Sequence, residues 1–270
     1  MRLKRTFLSL LAITTCLATT PNSAVVNAQS GKLYQQMSVL ERSTFVSQQA
    51  RRVAREMSGN DYQFTPAFEA AIHRSVDFYV QRIGNSSVGR SDARPIFERG
   101  QSLASILNPI FKKRKVSPLI GLYIPLIESE YTNIPSSGTS GASGMFQFLP
   151  KTGEQFGLSE GDLLDVEKSA DAAARYIMRA LKKFKDDPMK EALAILAYNR
   201  GAGTVERDLM LYVTDENRGC SICVLTENSD KLDPTFQNES VYYVPRFFAA
   251  AIIGENPLAF GLQTEPLSSF

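Results

Sequence analysis

Histidine and cysteine are nearly missing from this chain of 270 residues, which has one histidine, His73, and three cysteines. No Ser-His-Asp set and no phosphate-binding glycine loop can be assembled from its motifs. A zinc site at Cys220 and Cys223 would need two more ligands, and His73 lies far away in sequence. His73 therefore reads as a structural or surface residue, and neither a metal nor another cofactor is expected. Charge of one sign is also lacking. With 30 Lys and Arg against 28 Asp and Glu, the net charge of +2 creates no global attraction for nucleic acid. Local basic runs exist at Lys112-Lys113-Arg114-Lys115 and Lys182-Lys183-Lys185. They read as solvated helix ends, with weak attraction to an anionic surface as the alternative. Beyond residue 18 no apolar run is long enough to cross a bilayer, so no transmembrane helix is expected in the mature chain. Repeats and low-complexity tracts are missing too.

What is present begins with an export signal. Arg2, Lys4 and Arg5 form a positive start, and residues 7–18 form an apolar stretch too short to span a membrane comfortably. Val26-Asn27-Ala28 offers a small-x-small cleavage site before Gln29. Cleavage as a lipoprotein before Cys16 is the competing reading, but Ile13-Thr14-Thr15 lacks the small residue expected there. Removal of residues 1–28 leaves Cys220 and Cys223, whose C-x-x-C spacing closes a short disulfide in an oxidising compartment. A redox motif would need a thioredoxin-like βαβ context, which is absent.

The remaining periodicity is helical, and the fold class is mostly α. Residues 29–58 show no clean period and read as a partly ordered arm. Thr65-Pro66 opens a helix carried by Phe68, Ile72, Val76, Tyr79 and Ile83, and residues 84–90 read as a loop. Leu103, Ile106, Leu107, Ile110 and Phe111 mark another helix. Ser117-Pro118 begins a strongly apolar one that runs to Glu128. Residues 133–144, rich in Ser, Gly and Thr, read as a loop. Helices follow over 170–185, over 189–199 up to Gly201, and from Val244-Pro245 to Gly254. Ser221 to Leu225 is the one weak strand candidate. The polar segment 208–238 reads as an insertion, either shaping a cleft or lying idle on the surface.

A glutamate closing an apolar helix is a chemical clue. Leu126, Ile127, Met145 and Phe146 would desolvate the Glu128 carboxyl, and desolvation raises its pKa toward neutrality, as a general acid requires. The plain alternative is a helix-end Glu beside a loop. Four motifs then resemble those of a known family. They are Ile124-Pro125-Leu126-Ile127-Glu128-Ser129-Glu130-Tyr131; Gly141-Ala142-Ser143-Gly144-Met145-Phe146-Gln147 with Pro150-Lys151-Thr152-Gly153; Ala197-Tyr198-Asn199-Arg200-Gly201-Ala202-Gly203; and Tyr242-Tyr243-Val244-Pro245. In this order they resemble the soluble-lytic-transglycosylase-like domain, whose fold is that of goose-type lysozyme. The run before Glu128 is most similar to the membrane-bound lytic transglycosylase D group.

The resemblance implies a lysozyme-like α domain over 113–270 behind a helical N-terminal extension over 29–112. It implies a periplasmic or cell-envelope enzyme acting on peptidoglycan glycan strands, with cell-wall machinery proteins as further partners. Glu128 would protonate the bond between N-acetylmuramic acid and N-acetylglucosamine, then take the proton of the muramoyl C6 hydroxyl, which closes a 1,6-anhydro ring. No second carboxylate is needed, unlike two-carboxylate glycosidases. Glu130 in a continuing helix would point away from Glu128, and Glu154 reads as solvated. Ser129 is read as a helix-end hydrogen bond or a substrate contact, and Ser137 stands in the loop where the family places a serine. Gln147 would bind substrate, and Gly144 would allow close approach of the glycan or simply make a turn. Met145 and Phe146 would form an apolar floor for the sugar. Tyr198, Asn199 and Tyr243 complete the implied site, Tyr243 by bonding Glu128 or the sugar. The competing readings are a lysozyme-type hydrolase and a catalytically idle peptidoglycan-binding protein.

Overall fold

Most helices of this protein are announced by their first turns. In the computed structural model, which describes residues 31–84, 92–137 and 140–270 but not the side chain of Ser137, eleven α-helices and one two-stranded sheet are seen. The expected export signal at 1–28, Cys16 and most of the loop expected at 84–90 lie outside the described residues. The mostly α expectation holds.

The segment expected to be a partly ordered arm is instead ordered. It holds helix α1 (Val39–Ser58), entered through a reciprocal cap in which Ser38 Oγ accepts from the Glu41 amide and Glu41 Oε2 accepts from the Ser38 amide at 2.7 Å. Its inward face is Val46, Ala50, Val53, Ala54 and Met57. The alanines make that stripe faint among the polar residues around it.

α2 (Pro66–Arg82) starts as expected, with Thr65 Oγ1 accepting from the Phe68 amide. α3 (Arg94–Lys113) leads to α4 (Pro118–Ser129), which is buried on every side from Leu119 to Ile127. A helix apolar all round must be enclosed by others. α4 packs against α1, α3, α6 (Val166–Lys183) and α11 (Tyr243–Glu255). Tyr123, Ile124 and Leu126 are fully buried, each contributing about 1.5–3 kcal/mol. α11, buried along its whole length, packs on α2, α4 and α7 (Lys190–Arg200). Residues 32–270 form one compact unit, so the upstream helices share this core.

Two further expectations are corrected. The Ser- and Gly-rich stretch 133–144 is a small antiparallel hairpin, β1 (Ile134–Ser137) on β2 (Ala142–Gly144), with Ile134 opposite Gly144. Ile134 is the only large apolar residue in it, so no alternating pattern marks the strands. α5 (Pro150–Gln155) follows it. The weak strand at 221–225 is the helix α9 (Ser221–Glu227), because an unbroken apolar run suits a buried helix equally well. Nor is 208–238 an idle surface loop. Following α8 (Ala202–Tyr212) it buries Cys220, Ile222, Cys223 and Leu225, and within α10 (Pro234–Asn238) Phe236, with α9 against α2, α7 and α8.

Cys220 and Cys223 are joined as a disulfide, with Cα atoms 5.2 Å apart. So short a loop removes little entropy from the unfolded chain. Replacing both by serine should lower stability by about 2 kcal/mol through the lost link. Equilibrium urea unfolding, with and without reductant, measures it.

Candidate active site

Glu128 is placed by the end of α4. Glu130 and Tyr131 adopt left-handed backbones in succession, at φ 52° and 59°, a conformation costing about 1–2 kcal/mol per non-glycine residue. Three contacts hold the reversal. Arg82 donates to the Glu130 carboxylate at 2.7 Å, Arg99 donates to the Glu130 carbonyl at 2.9 Å, and the Tyr131 hydroxyl donates to the Leu122 carbonyl at 2.7 Å. The helix therefore stops at Ser129, and the Glu130 carboxylate is engaged by Arg82 rather than by the site.

Glu128 is largely enclosed. The Tyr243 hydroxyl, from the first turn of α11, donates to Glu128 Oε1 at 2.5 Å. Burial pushes the carboxyl up to about 7; the Tyr243 hydrogen bond and the Arg246 guanidinium pull it down, and the Glu239 charge pushes it up. Arg246 is itself fixed by donating to the Ile127 carbonyl at 2.9 Å. A carboxyl protonated at neutral pH in one state and ionised in the next can both give and take a proton. Tyr243→Phe removes a hydrogen bond that favours the ionised form. Its expected outcome is a basic limb of the activity–pH profile displaced to higher pH, read from rates across pH 5 to 9.

Besides Tyr243, Tyr198 lies within reach of the Glu128 charge, and several of the expected site residues make contacts different from those expected. Ser129 is buried, and its hydroxyl donates to the Met145 carbonyl at 2.8 Å, tying α4 to the hairpin. Met145 and Phe146 are 1 % and 0 % exposed, so their side chains fill the core and present no face to a sugar. Phe146 stacks on Phe111 with centroids 6.2 Å apart. What these two residues offer is backbone: the Phe146 carbonyl accepts from the Tyr198 hydroxyl at 2.9 Å. Tyr198 also packs edge-on against Tyr176 and Phe148, and burial raises its hydroxyl well above the usual tyrosine range.

Gln147, left-handed at φ 49°, turns its amide back to donate to the Gly144 carbonyl at 2.7 Å. Gly144 is buried at φ 78°, and a Cβ there would lie 2.0 Å from the Leu163 carbonyl oxygen. The glycine is thus demanded by packing against the turn at Gly161–Leu164. Asn199 donates to Glu239 Oε1 at 2.8 Å and accepts from the Ser240 hydroxyl at 2.7 Å. Ser137 pairs through its backbone with Ala142. Its side chain lies outside the described residues. The Cys220–Cys223 link belongs to α9 and not to this cluster. His73 Nδ1 lies 3.2 Å from Asp77, in a cluster with Tyr34 that pins the N-terminal turn to α2.

Three participants escape the sequence reading. Glu239 and Ser240 fix Asn199, and Glu239 also acts on Glu128 through its charge. Arg246 stands three residues after Tyr243, on the same helix face, a spacing that could have signalled it. Next to Asn199, the buried Arg200 bridges Asp208 and Asp233 and lies over the Phe236 ring at 5.0 Å. That network anchors 208–238 to the end of α7.

Residues 107–217 match the family described as the Transglycosylase SLT domain. Curated relatives include two proteins called membrane-bound lytic murein transglycosylase D, from Escherichia coli K12 and from Escherichia coli O6:H1. Each is 27% identical over 155 residues, which cover 56% of this chain and 31% of the relative. The chain thus spans about a third of the length of the curated relatives it matches. Residues 107–217, which hold Glu128 at the end of its apolar helix, are thus similar to the transglycosylase SLT domain, and 155 residues of the chain are similar to those lytic murein transglycosylases.

Proposed function

We propose that the protein is an exported peptidoglycan lytic transglycosylase with Glu128 as its single catalytic acid and base. One observation carries the reading: an enclosed carboxyl raised to about 7 and held by the Tyr243 hydroxyl. Protonated Glu128 gives its proton to the glycosidic oxygen between N-acetylmuramic acid and N-acetylglucosamine as that bond breaks. The resulting carboxylate accepts the proton of the muramoyl C6 hydroxyl while its oxygen bonds C1. The 1,6-anhydro end forms without water, and Glu128 returns to its starting state. Tyr243 steadies the carboxylate between the two steps, and Gln147, Tyr198 and Asn199 shape the adjoining wall.

This reading places the protein in the cell envelope after removal of residues 1–28, in the periplasm. The similarity to membrane-bound lytic murein transglycosylases supports the envelope. Among the described residues no helix is long and apolar enough to cross a membrane.

A second reading, hydrolysis with water as acceptor, is favoured by one observation: the exposed Glu239 carboxylate whose charge reaches Glu128. Mass spectrometry of purified peptidoglycan after digestion separates the two. Anhydromuropeptides support transglycosylation; reducing ends that depend on Glu128 would overturn it. Glu239→Gln sharpens the test. Removing that negative charge lowers the Glu128 pKa, so the basic limb of the profile should move to lower pH while anhydro products persist. A switch of product or a complete loss in that variant would make Glu239 part of the chemistry.

A further inference from the structure

The two lysine-rich runs, far apart in sequence, meet in the fold. The first ends α3 and the second ends α6, and these helices pack on one another. Between them lies an open groove with a volume of about 620 Å³, bordered by Lys113, Lys115, Lys182 and Lys185, with Met178 and Leu181 supplying its apolar lining.

Cations at helix C-termini are ordinary, because they complement the dipole. Here that role is already filled by paired residues. Arg114 holds Asp171 at 2.7 Å, and Lys183 holds Glu206 at 2.6 Å. At the groove's edge Lys190 lies 3.9 Å from Glu191, a carboxylate that also accepts from the Tyr62 hydroxyl. Among the described residues no carboxylate pairs with the four bordering lysines. Lys115 is moreover held left-handed at φ 57°, a conformation that glycine or asparagine adopts more easily. Four like charges around one concavity repel each other unless an anion joins them.

Lysine ammonium groups are compact, strongly charged donors suited to phosphate oxygens, and their stems with Met178 and Leu181 can cover the apolar part of a ligand. We propose that this groove binds an anionic ligand carrying more than one phosphate group. Lys113 also borders an adjoining depression of about 360 Å³ along α6. There Lys168 and Arg175 alternate with Glu167 and Asp171, so the attraction centres on the first groove. The site is distinct from the acid's. α7 starts at the groove with Lys190 and reaches Tyr198 and Asn199 only near its far end, about 12–14 Å along an eleven-residue helix. The inference is independent of the reaction proposed above.

Calorimetric titration with sodium tripolyphosphate at physiological ionic strength tests it. The intact protein should bind, and replacing the four lysines together by glutamine should weaken binding at least about tenfold, since one lysine facing anionic charge is worth roughly a few-fold. Replacing Arg74, Arg207, Arg218 and Lys231 by glutamine removes the same charge from exposed positions outside the groove and should leave the affinity within about twofold. Circular dichroism checks that both variants fold. Absence of binding by the intact protein, or equal losses in the two variants, overturns the proposal. Vesicles of phosphatidylcholine with and without cardiolipin, whose headgroup carries two phosphates, identify the source. Binding to the anionic vesicles alone, lost in the groove variant, assigns a lipid headgroup. Binding of tripolyphosphate without binding of vesicles assigns a soluble or polymeric phosphate.

Discussion

Replacing Glu128 by glutamine is expected to remove peptidoglycan cleavage while making the protein more stable above neutral pH. Loss of a general acid costs about 10²–10⁴-fold in rate. The loss should lie at the upper end here, because in the proposed reaction one carboxyl serves both proton transfers. The stability gain has the same origin. Glu128 titrates at about 7 in the folded protein, against the ordinary 4.5. Below pH 4.5 the carboxyl is protonated whether folded or unfolded, and the penalty is absent. As pH rises from 4.5 to 7 the unfolded chain ionises first, so folding loses about 1.4 kcal/mol per pH unit, or about 3 kcal/mol by pH 8. Glutamine carries no such penalty, and its carbonyl can still accept from Tyr243. Urea unfolding at pH 4 and pH 8 should give nearly equal stabilities for the two proteins at the lower pH and a variant more stable by about 3 kcal/mol at the higher. Equal stability at both would mean that Glu128 is not desolvated in the folded state. Retained cleavage would remove it from the chemistry.

How far the sequence exposes this architecture depends on what kind of force acts at each place. The capped helices are legible because one chain segment contains the whole signal, as at Thr65-Pro66 and Ser117-Pro118. α1 is less so, since two of its buried positions are alanines that hardly differ from their neighbours. The hairpin at 134–144 is held by backbone pairing, which leaves no trace in residue type. Glu128 can be found because its desolvating residues are its neighbours in sequence. Tyr243, 115 residues away, is reached through the family motifs and not through any local pattern. Glu239 and Ser240 acquire their role from Asn199, 40 and 41 residues earlier in the chain. The reverse error occurs at Met145 and Phe146, where apolar residues beside a catalytic motif suggest a sugar-facing floor. Their side chains are core, and only their carbonyls serve the site. A motif marks which residues matter without saying whether side chain or backbone is at work.

Gly144 shows the same distinction and gives a sharp test of it. If the glycine only let a glycan approach, alanine there would fold normally and bind substrate poorly. The fold requires more. An alanine Cβ would overlap the Leu163 carbonyl at 2.0 Å, a backbone atom that cannot rotate aside, and the φ of 78° is unfavourable for any residue with a side chain. Relief must come from shifting the turn at Gly161–Leu164 or the hairpin. Asn133 donates to the Leu164 carbonyl at 2.6 Å, so the two would move together. The hairpin in turn presents the carbonyls that receive Gln147 and Ser129. Gly144→Ala is therefore expected to lose about 3–5 kcal/mol of stability, roughly 10 °C in Tm for a chain of this size, with activity falling together with the folded fraction. Gly203→Ala is the matched control within the motif that also holds Tyr198 and Asn199. Nothing lies within 4 Å of the added carbon at this helical position, so its stability should stay within about 0.5 kcal/mol of the parent. Thermal unfolding of both variants decides the matter. A Gly144→Ala protein that melts like the parent but cleaves poorly would return the glycine to the glycan, and one that melts early assigns it to the wall that holds Glu128 in place.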